Sequence, residues 1–284
     1  MPMDNSGNTD DIITQAQSLG DIGQIPQAIN LVQAAIEKQP EDGKLWHMLG
    51  ILHRMDQDSG AAIAALEKTM VYQPANAVLH HALARVTMEA GLPAVEKFDR
   101  ARALAPNDGA IILGRGAAQL AAGQFDQAVA DMDLIVASNP LWLEGHELLS
   151  EARWTSGDKD GFLDSFKRAL KDNRNNGALW AKCLDALFKA DRFAEASRMV
   201  DEAKQALGES RGLLMYEAIC ASELGENDEA DQLFSSLAPI TEIALAVRHM
   251  RHLLRTGHAD RAAAVGEPFL QDPEAHQVWP YLSL

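Results

Sequence analysis

The sequence predicts an all-α fold, a solenoid of about eight helix-turn-helix repeats, from three observations. A turn residue returns at Gly23, Gln57, Gly91, Gly123, Gly157, Asp191, Gly225 and Gly257, with gaps of 34, 34, 32, 34, 34, 34 and 32. Five residues beyond most of these turns stands a small one: Ala28, Ala62, Ala128, Ala196, Ala230 and Ala262, with Ala94 two residues early in the third unit. Prolines close units at Pro40, Pro74, Pro106 and Pro140. Self-similarity at a period of this size marks stacked supersecondary units, none of which can bury its apolar face alone.

Each mark has a physical cause, seen in residues 45–74, "LWHMLGILHRMDQDSGAAIAALEKTMVYQP". Helices of about 12–14 residues are marginal by themselves. Apolar residues at i, i+3, i+4 and i+7 give each one sticky face. A glycine at the turn accepts positive φ at the end of the first helix, helix A. The alanine lies where the second helix, helix B, crosses helix A, and a larger side chain would push the two apart. The proline stops helix B without breaking a needed hydrogen bond.

A unit of 34 residues with these marks resembles the tetratricopeptide repeat: Trp46 at position 4, Leu49 and Gly50 at 7 and 8, Ala62 at 20, Leu66 at 24 and Pro74 at 32. Trp180, Ala196, Val200 and Ala203 repeat the pattern further on. The resemblance covers roughly residues 10–275 and implies a right-handed α-solenoid.

In chain order, residues 1–9 are polar and acidic and are expected to be disordered. The first repeat, near 10–42, has Gln15 at position 7, where the family is apolar, and fits an outer cap. The second, 43–76, is the complete unit. The third, 77–108, loses two residues between Gly91 and Ala94, and Pro93 is expected at the start of its helix B. The fourth, 109–142, has Arg115 at position 7, which either snorkels out or pairs with an acid. The fifth, 143–176, has Phe162 at position 20 and no closing proline, which predicts a splayed helix pair. The sixth, 177–210, is regular. The seventh, 211–242, has a helix B cut early by Pro239, and kinks are expected at both short gaps. The eighth, 243–275, carries His249 at position 7. Residues 276–284, with Trp279, Tyr281, Leu282 and Leu284, read as the start of a further or capping helix.

Composition narrows function. The net charge of −16 is spread evenly, −8 in residues 1–142 and −8 in the remainder. Such a surface repels phosphate backbones, so no nucleic-acid partner is expected. No apolar run approaches the ~18 residues of a membrane span, and the acidic start lacks the basic and apolar segments of a signal peptide. Cys183 and Cys220 fall in helical apolar patterns and read as buried thiols of a reducing compartment. A cytoplasmic location and no membrane partner are expected; oligomeric state is not encoded in any pattern.

No phosphate-binding loop, nucleophile elbow, cysteine metal cluster or dinucleotide motif is present. His258-Ala259-Asp260 matches an iron-binding HxD, but it sits directly after a turn glycine, and Asp260 reads as a first-turn helix residue. His80 with His81, and His249 with His252, lack a third ligand at metal spacing. The five tryptophans read as packing anchors. No catalytic residue, cofactor or metal site is assigned.

The resemblance implies that positions 2, 5, 9 and 12 of helix A, and 13 in part, line a concave groove. These positions supply Lys44, His47, Arg54, His81 and Arg85; then Leu113 and Ala117; then Glu144, Glu147, Glu151 and Trp154; then Asp185, Phe188 and Met215; and finally, with a neighbouring arginine, Arg248, Arg251 and Arg255. The order is basic, apolar, acidic, apolar, basic, which suits a peptide of complementary charge. The Lys-Asn-Asn-Lys-Arg clamp of chaperone-tail adaptors is not found at these positions. The sequence therefore predicts a non-catalytic scaffold that binds a protein or peptide in its groove. A second reading comes from the last residues, which resemble the junction in bacterial proteins where such repeats precede a 2-oxoglutarate/iron oxygenase domain; the chain would then recruit substrate for a catalytic domain it does not contain.

Overall fold

The computed structural model describes residues 6–270, and these are all-helical. Two compact units divide at Lys159 and Asp160. The first contains α1 (Ser6–Asp21), α2 (Ile25–Lys38), α3 (Gly43–Met55), α4 (Ser59–Tyr72), α5 (Ala77–Glu89), α6 (Val95–Leu104), α7 (Gly109–Ala121), α8 (Phe125–Ser138) and α9 (Leu143–Ser156). The second contains α10 (Asp164–Asp172), α11 (Gly177–Lys189), α12 (Phe193–Leu207), α13 (Arg211–Leu224), α14 (Asn227–Ser236), α15 (Ile243–Arg255), α16 (Ala259–Gly266) and a closing 3-10 turn, Glu267–Phe269. Within each unit the helices alternate as A and B members of antiparallel hairpins that pack in chain order. The fold is an α-solenoid.

The turns form as the spacing requires. All eight turn residues have positive φ, including the non-glycines Gln57 (φ 62°) and Asp191 (φ 53°). At each, the following amide donates to the carbonyl five residues back, as Asp58 does to His53 and Gln124 to Gln119. This six-to-one bond closes helix A with the chain already reversed. Helix A starts are equally local. Asp42, Asn76, Asp108 and Asn176 accept backbone amides of the first turn through their side chains, each cap contributing about 1 kcal/mol.

A second recurring bond ties helix A of four repeats to the loop before it. The ring nitrogens of Trp46, His80, His146 and Trp180, all at position 4, reach the carbonyls of Pro40, Pro74, Pro140 and Arg174 at 2.7–3.0 Å. A carbonyl only accepts, so His80 and His146 donate from Nε2. This places His80 in a structural role.

Buried apolar side chains gather in clusters where successive helices meet. Ala28, Ala62, Ala128, Ala196, Ala230 and Ala262 are fully buried. Phe98 fills the third hairpin beside Ala84, Ala94 and Ala118, and Phe234 fills the seventh beside Ala218, Ala221 and Ala230. The two cysteines are buried, and burial pushes both thiols up to about 12, so they behave as small apolar residues.

Several expectations need revision. Helix α1 begins at Ser6, four residues ahead of the expected start. Pro93 lies outside α6, whose N-cap is Ala94; helix B there starts four residues after its turn instead of two and has 10 residues. The missing residues thus remove the first turn of helix B and leave the turn intact. In the fifth repeat helix B starts only at Asp164, and the boundary between the compact units falls between its two helices. Phe162, the residue in place of alanine, is buried ahead of that helix. The seventh repeat needs no such revision: α14 has 10 residues and stops at Ser236, before Pro239, in line with the early end expected. Residues 271–284, including the predicted further helix, lie outside the described residues.

Candidate functional site

In the first unit the A helices also meet one another: α1 with α3, α5 with α7, and α7 with α9. They form a wall that carries the side chains singled out by position. Its basic part is the most closely knit. Arg54 donates Nε and Nη2 to the two carboxylate oxygens of Glu89, both at 2.7 Å. Arg85, one turn before Glu89 on α5, reaches the same carboxylate at 3.5 Å. Hydrogen bonding from Arg54 holds the Glu89 carboxyl below the usual carboxylate range. A small cleft of about 110 Å³ adjoins the group, with His47, Arg54 and Arg85 on its rim and Gly50, Ile51 and Met55 among its apolar lining. Burial lowers the pKa of both His47 and His81, which favours their neutral form. The His81 ring lies 5.8 Å from Phe98. Lys44 stands apart, paired with Asp10 of α1 at 2.8 Å.

Leu113 and Ala117 of α7 are half-buried and continue the wall as an apolar stretch. Glu144 and Glu151 of α9 are exposed and Glu147 is half-buried. Trp154, on the same helix, carries the Lys159 ammonium over its ring at 3.7 Å, a cation–π contact.

In the second unit Asp185, Phe188 and Met215 are half-buried. Asp185 accepts the Tyr216 hydroxyl at 2.5 Å. Phe188 meets Tyr216 and Phe193 edge-on, with centroids 5.2 and 5.4 Å apart. Burial, then the Asp185 hydrogen bond, push the Tyr216 hydroxyl above the usual phenol range. Of the predicted basic stripe, Arg248 lies 3.1 Å and Arg255 3.9 Å from Glu223. Arg255 also donates to the Ser222 hydroxyl at 2.9 Å. Arg251 is exposed.

The position rule that yields Arg54 and Arg85 extends equally to Ile51 at position 9 and to Met55 and Glu89 at position 13. It also reaches Glu223, at position 13 of the seventh repeat, whereas Tyr216, at position 6, carries no such signal. His258 stands at the N-cap of α16 with Asp260 in its first turn. Among the described residues, no three His, Cys, Asp or Glu side chains gather as a metal site. No described helix is long and apolar enough to cross a membrane.

Fold and surface together define a class: a helical-repeat protein presenting a wall of A-helix side chains. The particular repeat follows from comparison. The tetratricopeptide repeat model matches residues 13–76 and 113–178, so these segments are tetratricopeptide repeats. Among solved structures, a tetratricopeptide repeat protein from Parabacteroides merdae is similar at a TM-score of 0.57 and 15% identity, over 84% of this chain and 96% of that one. Yeast Tom70 is similar at a TM-score of 0.57 and 17% identity, over 91% of this chain and 58% of Tom70. YrrB, described as "a TPR protein with an unusual peptide-binding site", is similar at a TM-score of 0.51 and 16% identity, over 59% of this chain and 88% of YrrB. At such identities the likeness establishes the fold. No curated protein matches this chain.

Proposed function

We propose that the protein is a non-catalytic scaffold that binds a peptide or protein segment, and that the A-helix wall of the first unit is its capture surface. One observation carries the reading: side chains from two separate repeats, His47 and Arg54 of α3 and Arg85 of α5, surround one cleft next to exposed Ile51 and Met55. Apolar anchors ringed by charged groups suit a protein ligand. The solved peptide-binding neighbour, YrrB, supports the same class of activity. Leu113 and Ala117 would extend the apolar contact, and Glu144, Glu147 and Glu151 would select positive charge further along. In the second unit the aromatic group around Phe188, with Asp185 and Met215, and the arginines Arg248, Arg251 and Arg255 are the corresponding candidates.

A photo-crosslinking amino acid placed at Ile51 or Glu151, on the wall, is expected to yield discrete adducts in native extract. The same group at Lys68, exposed on α4, is expected to yield none. Equal labelling from all three sites, or none from the two wall sites, removes the wall as the binding surface.

A further inference from the structure

We propose that Glu89 is a resident occupant of an arginine pair whose external ligand is a peptide carboxylate next to a branched aliphatic side chain. The inference rests on the wall of the first unit being the binding surface.

The geometry supplies two guanidiniums for one carboxylate. Arg54 takes both oxygens of Glu89 at 2.7 Å, while Arg85 has only a 3.5 Å contact to one of them. A guanidinium carries five N–H donors, so most of Arg85's donors bond to no described residue. With Glu89 in place the trio keeps one positive charge, in a chain of net charge −16. Lys44 is already held by Asp10, and burial favours the neutral form of His47 and His81, so this charge is the main one the cleft presents to a ligand.

The same group is open to exchange. The side chains of Arg54, Arg85 and Glu89 are 47%, 48% and 38% exposed, and ion pairs this open to water contribute little and swap partners readily. A bidentate guanidinium binds any carboxylate that meets its fork. An incoming aspartate or glutamate therefore replaces Glu89 at small net cost, provided a second contact favours the exchange. The cleft supplies it: Leu66 and Val86 line it, and Ile51 and Met55 leave apolar surface exposed beside it. Its volume of about 110 Å³ suits one branched aliphatic side chain. Glu89 then acts as a threshold. A carboxylate alone exchanges like for like, whereas a carboxylate with an aliphatic neighbour gains the apolar contact as well.

The test uses the full chain, labelled with nitrogen-15, titrated with N-acetyl-leucyl-aspartamide bearing a free side-chain carboxyl and with its asparagine analogue. The aspartate probe is expected to shift the amides of Ile51, Arg54 and Arg85, and to bind about tenfold more tightly than the asparagine probe. Glu89→Gln is expected to tighten the aspartate probe by about fivefold, the exchange of one exposed ion pair. Glu89→Ala, as a second variant, is expected to do the same, and Arg85→Gln to abolish the preference. Equal binding of the two probes at these amides leaves the wall as a binding surface and overturns the carboxylate assignment. Affinity unchanged or weakened in both Glu89 variants, with the amide fingerprint intact, overturns the role of Glu89. No shift at these amides with either probe overturns the whole proposal.

Discussion

Arg115 stands where the repeats otherwise place an apolar side chain, and the structure decides between the two readings its sequence left open. Its guanidinium pairs with Asp99 at 2.5 Å and also with Asp131, which Arg102 holds from the other side at 2.5 Å. Asp131 is nearly buried, so the network is satisfied from both ends, as a buried carboxylate requires. Gln15, the first exception at this position, is exposed. His249, the third, is buried and stacks on Phe234 with centroids 4.4 Å apart. Burial, then the nearby His252 and Arg261, lower its pKa from 6.5 to about 4. The sign follows directly. The unfolded state takes up the proton near pH 6.5 and the folded state only near pH 4. Stability is therefore complete above pH 6.5, falls as pH drops through this window, and levels off below it. The window corresponds to about 3 kcal/mol. Urea unfolding of wild type and His249→Phe at pH 7.5, 5.5 and 4.5 is expected to show the difference growing in favour of the phenylalanine variant as pH falls. A pH-independent difference contradicts the assignment.

At the scale of the elements, the turns and helix starts were legible in the sequence because they are decided within a few residues. Gly23, Gly91, Gly123, Gly157, Gly225 and Gly257 take the positive φ that glycine tolerates, and Asp or Asn caps helix A wherever one precedes it. Gln57 is the informative exception, a glutamine held at φ 62°. The left-handed region costs an ordinary residue roughly 1–2 kcal/mol. Gln57→Gly is thus expected to stabilise the protein by about 0.5–1 kcal/mol after the glycine's larger entropy loss is subtracted. The midpoint of thermal unfolding reads the change, and a lower midpoint would mean that the glutamine side chain contributes more than its backbone strain costs. The helix B starts of the third and fifth repeats were less legible. Where a helix begins beside Pro93 or Phe162 depends on which side chains meet the preceding helix, and periodicity does not carry that information.

At the scale of the molecule, a core made of separate clusters implies stability that is local. Phe234 is fully buried among α13, α14 and α15, so Phe234→Ala is expected to cost about 3–5 kcal/mol. In a chain whose repeats contact mainly their neighbours, that loss should stay near its source. Hydrogen exchange is expected to quicken in α13–α15 and to remain unchanged in α1–α4; uniform quickening would mean one cooperative core. The sequence by itself determined the repeat length, the hairpins, the reversing turns and the buried alanines, since each recurs and depends on near neighbours along the chain. It also implied that residues about one repeat apart stand side by side. Only the tertiary structure decided which of them bond: Arg54 with Glu89 at a separation of 35 residues, Lys44 with Asp10 at 34, Tyr216 with Asp185 at 31. Those choices turn on ångström-scale spacing between adjacent helices and on the reach of each side chain, and they set which charges of the wall are neutralised.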